Sequence, residues 1–267
     1  MLFRSFSDCI NQVLLLMGVK RAAKPPDALH PLGYGRALYF WSFMVALLIF
    51  AGGGVFSIYE GIHKTIHPEP VENVGVAFVV LGFALLLEGW ATVGNIREMG
   101  QRRGKVPFLR YLRETKDSDL VVVFGQNAAA SLGLVAAGGA LGLAVLTGDP
   151  HWDGVGSLLV GLVVVSVAVF LAVEVKSLLV GERAEPVVEE AVTACIAETE
   201  GITRLIHCVT IQQGPGQVLV SAKVVFEPTL NAHDVAHAVN RFEARLRERR
   251  PEVRWCYVEC GLPDPPA

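Results

Sequence analysis

Charged residues are scarce in this 267-residue chain, whereas apolar residues are abundant. Charged residues make up 18% of the sequence and hydrophobic residues 52%. This balance is apolar for a soluble domain and favours insertion into a membrane. The net charge is −3, and the sequence has no long basic run and no basic patch interleaved with aromatic residues. The chain therefore lacks the features that nucleic-acid binding requires, and no nucleic-acid partner is predicted.

Cysteines are few and irregularly placed. They are odd in number: Cys9, Cys195, Cys208, Cys256 and Cys260. This pattern argues against a disulfide framework and is typical of a reducing, cytoplasmic environment. The opening stretch lacks a small-residue cleavage site, so a secretory signal peptide is not predicted. The sequence shows no nucleophile, general base or cofactor motif, and the protein is predicted not to be an enzyme.

Long apolar segments occupy the first two thirds of the sequence. A membrane-spanning helix needs about 20 largely apolar residues, and five segments qualify: the opening one, then 37–59, 74–96, 120–146 and 152–175. Lys and Arg are concentrated in the link after the first segment and in the link 97–116, which predicts that both links face the cytoplasm. The links 60–72 and 147–153 contain little positive charge and are predicted to be external. The chain after Lys176 is then cytoplasmic.

The composition after residue 180 is that of a soluble domain. Helical spacing predicts one helix beginning at Pro186 and a second one capped by Asn231. Two β-rich runs around the turn sequence GPG predict a hairpin, and EVRWCYVEC predicts a last strand. The order αββαβ predicts a small α+β sandwich with two helices on one face of a three-stranded sheet. We therefore predict a membrane all-α bundle over residues 1–180 and a cytoplasmic α+β domain over residues 181–267.

Polar side chains interrupt the first and fourth apolar segments on one face of each helix. They are Arg4, Asp8, Asn11 and Gln12 in the first segment, and Gln126, Asn127 and Ser131 in the fourth. Polar residues within a membrane usually face the bundle interior or a water-filled cavity, so the two faces could form a polar site at membrane depth. Alternatively, the amides and hydroxyls hold helices together while Arg4 pairs with Asp8.

Two other positions are candidates for chemistry. Glu88 lies inside the apolar stretch LGFALLLEGWA, where a carboxylate either belongs to a site or packs helices together with a polar partner. Asp27 and His30 are three residues apart in the first cytoplasmic loop. That separation is common among metal ligands, although by itself it is not diagnostic.

Six stretches, in order, resemble the landmarks of the cation diffusion facilitator family. They are FSDCINQVLLLMG, DALHPLGYGRALYFWS, FSIYEGIHKTIHPEP, QNAAASLGL, DPHWDGVGSLLVGL and KSLLVGE. The loop pattern D-x-x-H-P-x-G-Y-G-R resembles one branch of that family. The resemblance implies a dimer that exchanges a divalent metal, usually zinc, for protons, and a cytoplasmic domain that binds metal and contacts its twin. It also implies six spans, of which the chain begins at the second, and we expect a misplaced gene start rather than a lost helix.

The resemblance places the transport site at Arg4, Asp8, Gln126 and Asn127, where the family has mostly acidic residues or His. Only Asp8 remains anionic. Neutral amides are poor replacements for carboxylates around zinc, and the fixed charge of Arg4 repels a metal. Arg4 could instead hold Asp8 in a permanent ion pair. The residues predicted to contact metal are Asp8, Asn11, Gln126, Asn127, Asp27 and His30.

The resemblance also implies metal binding by the last strand and the central helix of the cytoplasmic domain. The chain offers there His207, Cys208, His233, His237, Cys256 and Cys260. Cys208 and Cys256 are interpreted as ordinary half-buried strand residues.

These features predict a multi-pass protein of the plasma (inner) membrane, with its C-terminal domain in the cytoplasm. Its predicted function is cation/proton antiport of zinc or another divalent cation, which is the transported substrate. The predicted partners are membrane lipid and a second subunit, either an identical copy or a paralogue. The alternative is a non-transporting, metal-sensing or scaffolding membrane subunit with a degenerate transport site.

Overall fold

The computed structural model describes residues 2–68, 73–104 and 106–262, and side chains from residue 10 onward. The chain divides into two compact units. The first comprises Met1–Lys20, Leu38–Arg113 and Asp117–Lys176; the second comprises Arg21–Ala37, Glu114–Lys116 and Ser177–Ala267. The second unit therefore contains two short links between helices besides the C-terminal residues. The predicted boundary after residue 180 stays a prediction.

The helices before residue 181 are α1 (Leu2–Ala22), α2 (Ala37–Leu48), a π-helical segment (Ile49–Val55), α3 (Phe56–Ile66), α4 (Val74–Arg102), α5 (Phe108–Glu114), α6 (Ser118–Thr147) and α7 (His151–Val180). Within the described residues, four helical stretches are long and apolar enough to cross a membrane. These are Ala37–Ile66, Val74–Arg102, Ser118–Thr147 and His151–Val180. The helix α1, predicted as the first span, is not one of the four, and its crossing of a membrane stays a prediction.

Ion pairs join helix ends that the predicted topology places on the same side. Lys64, near the end of α3, lies 3.0 Å from Asp153 in the first turn of α7. Arg102, the last residue of α4, lies 3.0 Å from Asp117, which immediately precedes α6. Spans that alternate in direction bring these ends together, so both pairs agree with the alternating topology.

Four glycines allow α7 to approach the π-helical segment and α3 closely. Gly54 and Gly61 lie seven residues apart on one side of this contact, and Gly154 and Gly161 lie seven apart on the other. A Cβ atom at any of the four would lie within 2.6 Å of an atom of the facing helix. Small residues permit such backbone contact between membrane helices. The contact fixes the register of α3 against α7.

The C-terminal part of the second unit has the predicted αββαβ order, which is confirmed. Its elements are α8 (Pro186–Ala197), β1 (Ile202–Gly214), β2 (Gln217–Phe226), α9 (Ala232–Arg249) and β3 (Val253–Cys260). The sheet order is β1-β2-β3, with β1 antiparallel and β3 parallel to β2. The parallel pairing follows because α9 crosses over between β2 and β3.

Local sequence signals place the two helices of this domain. Pro186 occupies the first turn of α8, where its missing N–H is not needed. The side chain of Asn231 accepts hydrogen bonds from the backbone nitrogens of His233 and Asp234, and Asp234 completes a capping box. This arrangement satisfies donors that the first turn of α9 would otherwise leave unpaired. Asn231 is therefore the cap that the sequence predicts.

The core of this domain lies between the sheet and both helices. Phe242 and Leu246 of α9 are fully buried, together with Val192 of α8 and Val220 of β2. The sequence also predicts Val235 and Val239 in the buried face, but these two are half-buried and Ala238 is buried instead. The buried cluster is formed by residues between 184 and 256 alone.

We expect residues 181–267, expressed alone, to fold, because their buried core is internal to the segment. Phe242→Ala should lower its free energy of unfolding by about 3–5 kcal/mol, as expected for removal of a buried aromatic ring. The control Glu248→Ala, at an exposed position of the same helix, should change it by less than about 0.5 kcal/mol. Urea unfolding followed by circular dichroism measures both. A disordered fragment, or equal effects of the two substitutions, would contradict the assigned core.

Candidate cation cavity

Helices of the first unit surround a cavity of about 760 Å³. Its wall is mainly apolar and includes residues of α1, α2, the π-helical segment, α3, α4, α6 and α7. The polar lining residues are Gln12, Ser57, Glu60, Glu88, Gln126, Asn127, Asp153 and Ser157. An apolar cavity with a small number of convergent polar groups is the usual form of a small-ligand site.

The two polar faces predicted from the sequence contribute to this one cavity. Gln12 of α1 and Gln126 and Asn127 of α6 all line it. Asn11 is 2% exposed, and its side-chain oxygen has no hydrogen-bond partner within the described structure, but it is not a lining residue. The side chains of Arg4 and Asp8 fall outside the described ones. Metal contact by Asp8, Asn11, Gln126 and Asn127 therefore stays a prediction.

Ser131 belongs to the same predicted stripe and has a different role. Its hydroxyl oxygen lies 3.0 Å from that of Thr92 on α4, and the Thr92 hydroxyl also donates to the backbone oxygen of Glu88 at 2.8 Å. Ser131 thus helps to hold α4 and α6 together, as the alternative interpretation of the polar residues predicts. The polar stripe of α6 therefore lines the cavity through Gln126 and Asn127 and contacts α4 through Ser131.

Glu60 and Asp153 are lining residues that the sequence reasoning missed. They belong to the predicted external links, and the structure places both carboxylates on the cavity and 3.0 Å from the Nζ atom of Lys64. The spacing of polar residues along the two helices could have indicated these acids. Ser57 precedes Glu60 by three residues and Ser157 follows Asp153 by four, so each acid shares a helix face with a lining hydroxyl. Glu88 lines the same cavity from α4.

The π-helical segment forms part of the cavity wall. Ile49, Ala51, Gly52 and Gly53 line it from this segment. Short π-helical turns within α-helices occur frequently at functional sites. A Cβ atom at Gly52 would have no other heavy atom within 4 Å. Gly52 thus lines the cavity at an exposed position, with open space where a side chain would begin.

The oxygen atoms of the lining side chains are suited to bind a hard or borderline metal cation weakly. Carboxylate, amide and hydroxyl oxygens are ligands for divalent metals. Among the described residues, no group of three or more His, Cys, Asp or Glu side chains is arranged to hold a metal ion. A cation in this cavity would therefore be held by one or two carboxylates together with neutral oxygens.

The loop geometry gives Asp27 and His30 a structural explanation. One carboxylate oxygen of Asp27 accepts hydrogen bonds from the backbone nitrogens of Leu29 and His30, and the other accepts one from the Tyr34 hydroxyl. The hydrogen bond from Tyr34, followed by that from the His30 backbone, lowers the pKa of Asp27. His30 Nδ1 lies 3.5 Å from the same carboxylate. Asp27 thus stabilises its own loop, and a metal role for the pair stays a prediction.

Cys208 and Cys256 lie in or against the core of the soluble domain. Burial raises the pKa of Cys208 to about 11 and that of Cys256 to about 12. Since metals bind the thiolate, this environment favours the interpretation as ordinary strand residues. His233 and His237 are exposed on α9, with their Nε2 atoms 3.3 Å apart.

The raised pKa values predict slow alkylation of these two thiols. For a pKa near 11, thiolate is on the order of one molecule in a thousand at pH 8. In the folded protein, iodoacetamide should therefore modify exposed Cys260 at least about tenfold faster than Cys208 or Cys256. The Cys208 rate should rise between pH 8 and pH 9. Peptide mass spectrometry measures each rate, and equal rates at the three thiols would show that burial does not control them.

Comparison with known proteins identifies the first unit. Residues 2–180 match the family model described as the cation efflux transmembrane domain. The chain is 34% identical over 296 residues to "Proton-coupled zinc antiporter SLC30A9, mitochondrial" of Xenopus laevis, covering 96% of this chain and 53% of that protein. It is 30% identical over 224 residues to "Metal tolerance protein C4" of Arabidopsis thaliana, covering 83% and 49%. The chain spans about half the length of these curated relatives.

Solved structures give a weaker comparison. A variant of the MamM C-terminal domain matches at 12% identity and a TM-score of 0.27, over 29% of this chain and 93% of that one. The family match instead extends over the transmembrane helices and the cavity that they surround, so this multi-pass membrane protein belongs to the cation efflux, or cation diffusion facilitator, family of cation transporters.

Proposed function

We propose that the protein transports a divalent metal cation, zinc or a similar ion, across its membrane in exchange for protons. The observation that carries this proposal is the cavity within the family's transmembrane domain, lined by Glu60, Glu88 and Asp153. These acids provide negative charge that Gln126 and Asn127 do not. The relatives named as proton-coupled zinc antiporters support the choice of ion and of coupling.

The same carboxylates explain how protons and metal would compete. A carboxylate binds a metal in its ionised form, and a proton that neutralises it weakens that binding. Amides do not titrate in the accessible pH range. Exchange would therefore depend on one or two of the lining acids at a time, with Asp8 as a candidate ligand from α1, while Gln12, Gln126 and Asn127 supply neutral oxygens.

The proposed active form is a dimer in a plasma or inner membrane with the soluble domain in the cytoplasm. Family resemblance supports the dimer, and the segregation of Lys and Arg supports the orientation. The names of the SLC30A9 relatives include the word mitochondrial. A mitochondrial membrane is therefore the other location to examine by fractionation.

Filling the cavity should abolish transport. We expect Gly52→Leu to reduce zinc-dependent proton flux in liposomes at least about tenfold, because it adds a bulky side chain at a lining position without a backbone clash. The matched control is Gly82→Leu, which also meets nothing within 4 Å but lies on an exposed face of α4 outside the lining. It should keep its flux. Equal flux from both variants and the unmodified protein would contradict transport through this cavity.

The non-transporting subunit remains a second candidate, and one specific observation favours it. Arg4, Gln126 and Asn127 occupy positions where the family resemblance implies acidic or histidine ligands. If Arg4 takes the place of the metal, the unmodified chain gives little flux. Strong flux that is lost in Asp8→Ala would exclude this candidate.

The combined variant Arg4→His, Gln126→Glu and Asn127→Asp should increase the zinc-dependent proton flux. It removes one fixed positive charge and adds an imidazole and two carboxylates, which supply both metal ligands and titratable groups. The same liposome assay measures the change. A folded variant with unchanged or lower flux would show that these positions do not contribute to the cation pathway.

A further inference from the structure

Lys64 forms ion pairs with two cavity-lining carboxylates. Its Nζ atom lies 3.0 Å from Oε1 of Glu60, one turn earlier on α3, and 3.0 Å from Oδ2 of Asp153 on α7. Both acids line the cavity. A positively charged nitrogen thus occupies the place between two carboxylates where a free cation would also be attracted.

The backbone around this cluster holds the two carboxylates near each other. The close contact of α3 with α7 at Gly61 and Gly154 lies next to Glu60 and Asp153 in the sequence. Because a Cβ at either glycine would collide with the facing helix, the helices have no space to shift inward and little freedom to change register. Two ionised carboxylates held this close repel each other unless a cation lies between them.

We propose that Lys64 is a specificity-determining residue, an internal cation that competes with the transported metal for Glu60 and Asp153. One ammonium leaves this pair of carboxylates with a net charge of −1, whereas a divalent metal would neutralise it. The metal can therefore displace the ammonium, which swings away on its flexible four-carbon chain. A metal that binds too weakly to displace the ammonium is rejected. This inference rests on the proposed function, because it assigns a step to the same cavity.

The position of the cluster suggests what the competition accomplishes. Lys64 lies in the last turns of α3 and Asp153 in the first turn of α7, at the end of the bundle predicted to be external. When the metal leaves, the ammonium can return to the two carboxylates. Lys64 would then favour release at this end and oppose rebinding.

Zinc binding to the purified full-length protein tests the competition directly. Lys64→Met removes the charge but keeps an unbranched chain, and we expect it to bind zinc at least about tenfold more tightly, or to bind one more equivalent. Lys64→Arg keeps a cation and should bind like the unmodified protein. The gain should disappear when Glu60→Gln and Asp153→Asn are added to Lys64→Met. A folded Lys64→Met protein that binds zinc like the unmodified protein would overturn the proposal.

A second measurement uses the unmodified protein and does not depend on the folding of a variant. Saturating zinc should free the Lys64 amine and increase its acetylation by acetic anhydride severalfold, as measured by peptide mass spectrometry. Lys223, ion-paired with Glu259 in the soluble domain, is the matched control and should not change. An unchanged Lys64 rate at saturating zinc would overturn the proposal. Neither readout requires transport, so absence of transport would refute the proposed function and leave this result interpretable.

Discussion

The packing of the helical unit is constrained by the carboxylates that lie among its apolar helices. A charged side chain within a membrane is costly, and such residues normally face a cavity, a partner charge or both. Glu60 and Asp153 meet both conditions, since they line the cavity and share the ammonium of Lys64. The glycine contacts between α3 and α7 follow from the same requirement. They bring the two helices close enough for one lysine to reach both acids.

The family resemblance implies acidic or histidine ligands where this chain has Arg4, Gln126 and Asn127. The structure places carboxylates at other positions of the cavity that Gln126 and Asn127 line. The acids of α3, α4 and α7 line the cavity together with the amides of α6. The cavity therefore contains carboxylate oxygens even though the family positions on α6 hold neutral amides. A site with few carboxylates and several neutral oxygens should bind a divalent cation weakly, which is compatible with rapid release. Weak binding is also compatible with a subunit that senses the cation.

Much of the fold could be predicted from the sequence because its signals are local. Pro186 and Asn231 mark helix starts, alternation marks strands, and apolar length marks four spans. The convergence of Gln126 and Asn127 with Gln12 was also predictable, because a polar side chain on an apolar helix has few stable places. Glu60 and Asp153 were missed because their meeting depends on the packing of two helices about ninety residues apart in sequence. Likewise, the spacing of Asp27 and His30 resembles a metal motif, but the competing hydrogen bonds from Leu29 and Tyr34 appear only in the folded loop.

We expect the cavity of the helical unit to hold the metal cation. Anomalous X-ray scattering at the zinc absorption edge, from full-length protein crystallised in lipid with zinc, tests it most directly. We expect a peak inside the cavity, at about 2.0–2.2 Å from a carboxylate oxygen of Glu60, Glu88 or Asp153. Peaks confined to the soluble domain or the protein surface, with none in the cavity at saturating zinc, would contradict it.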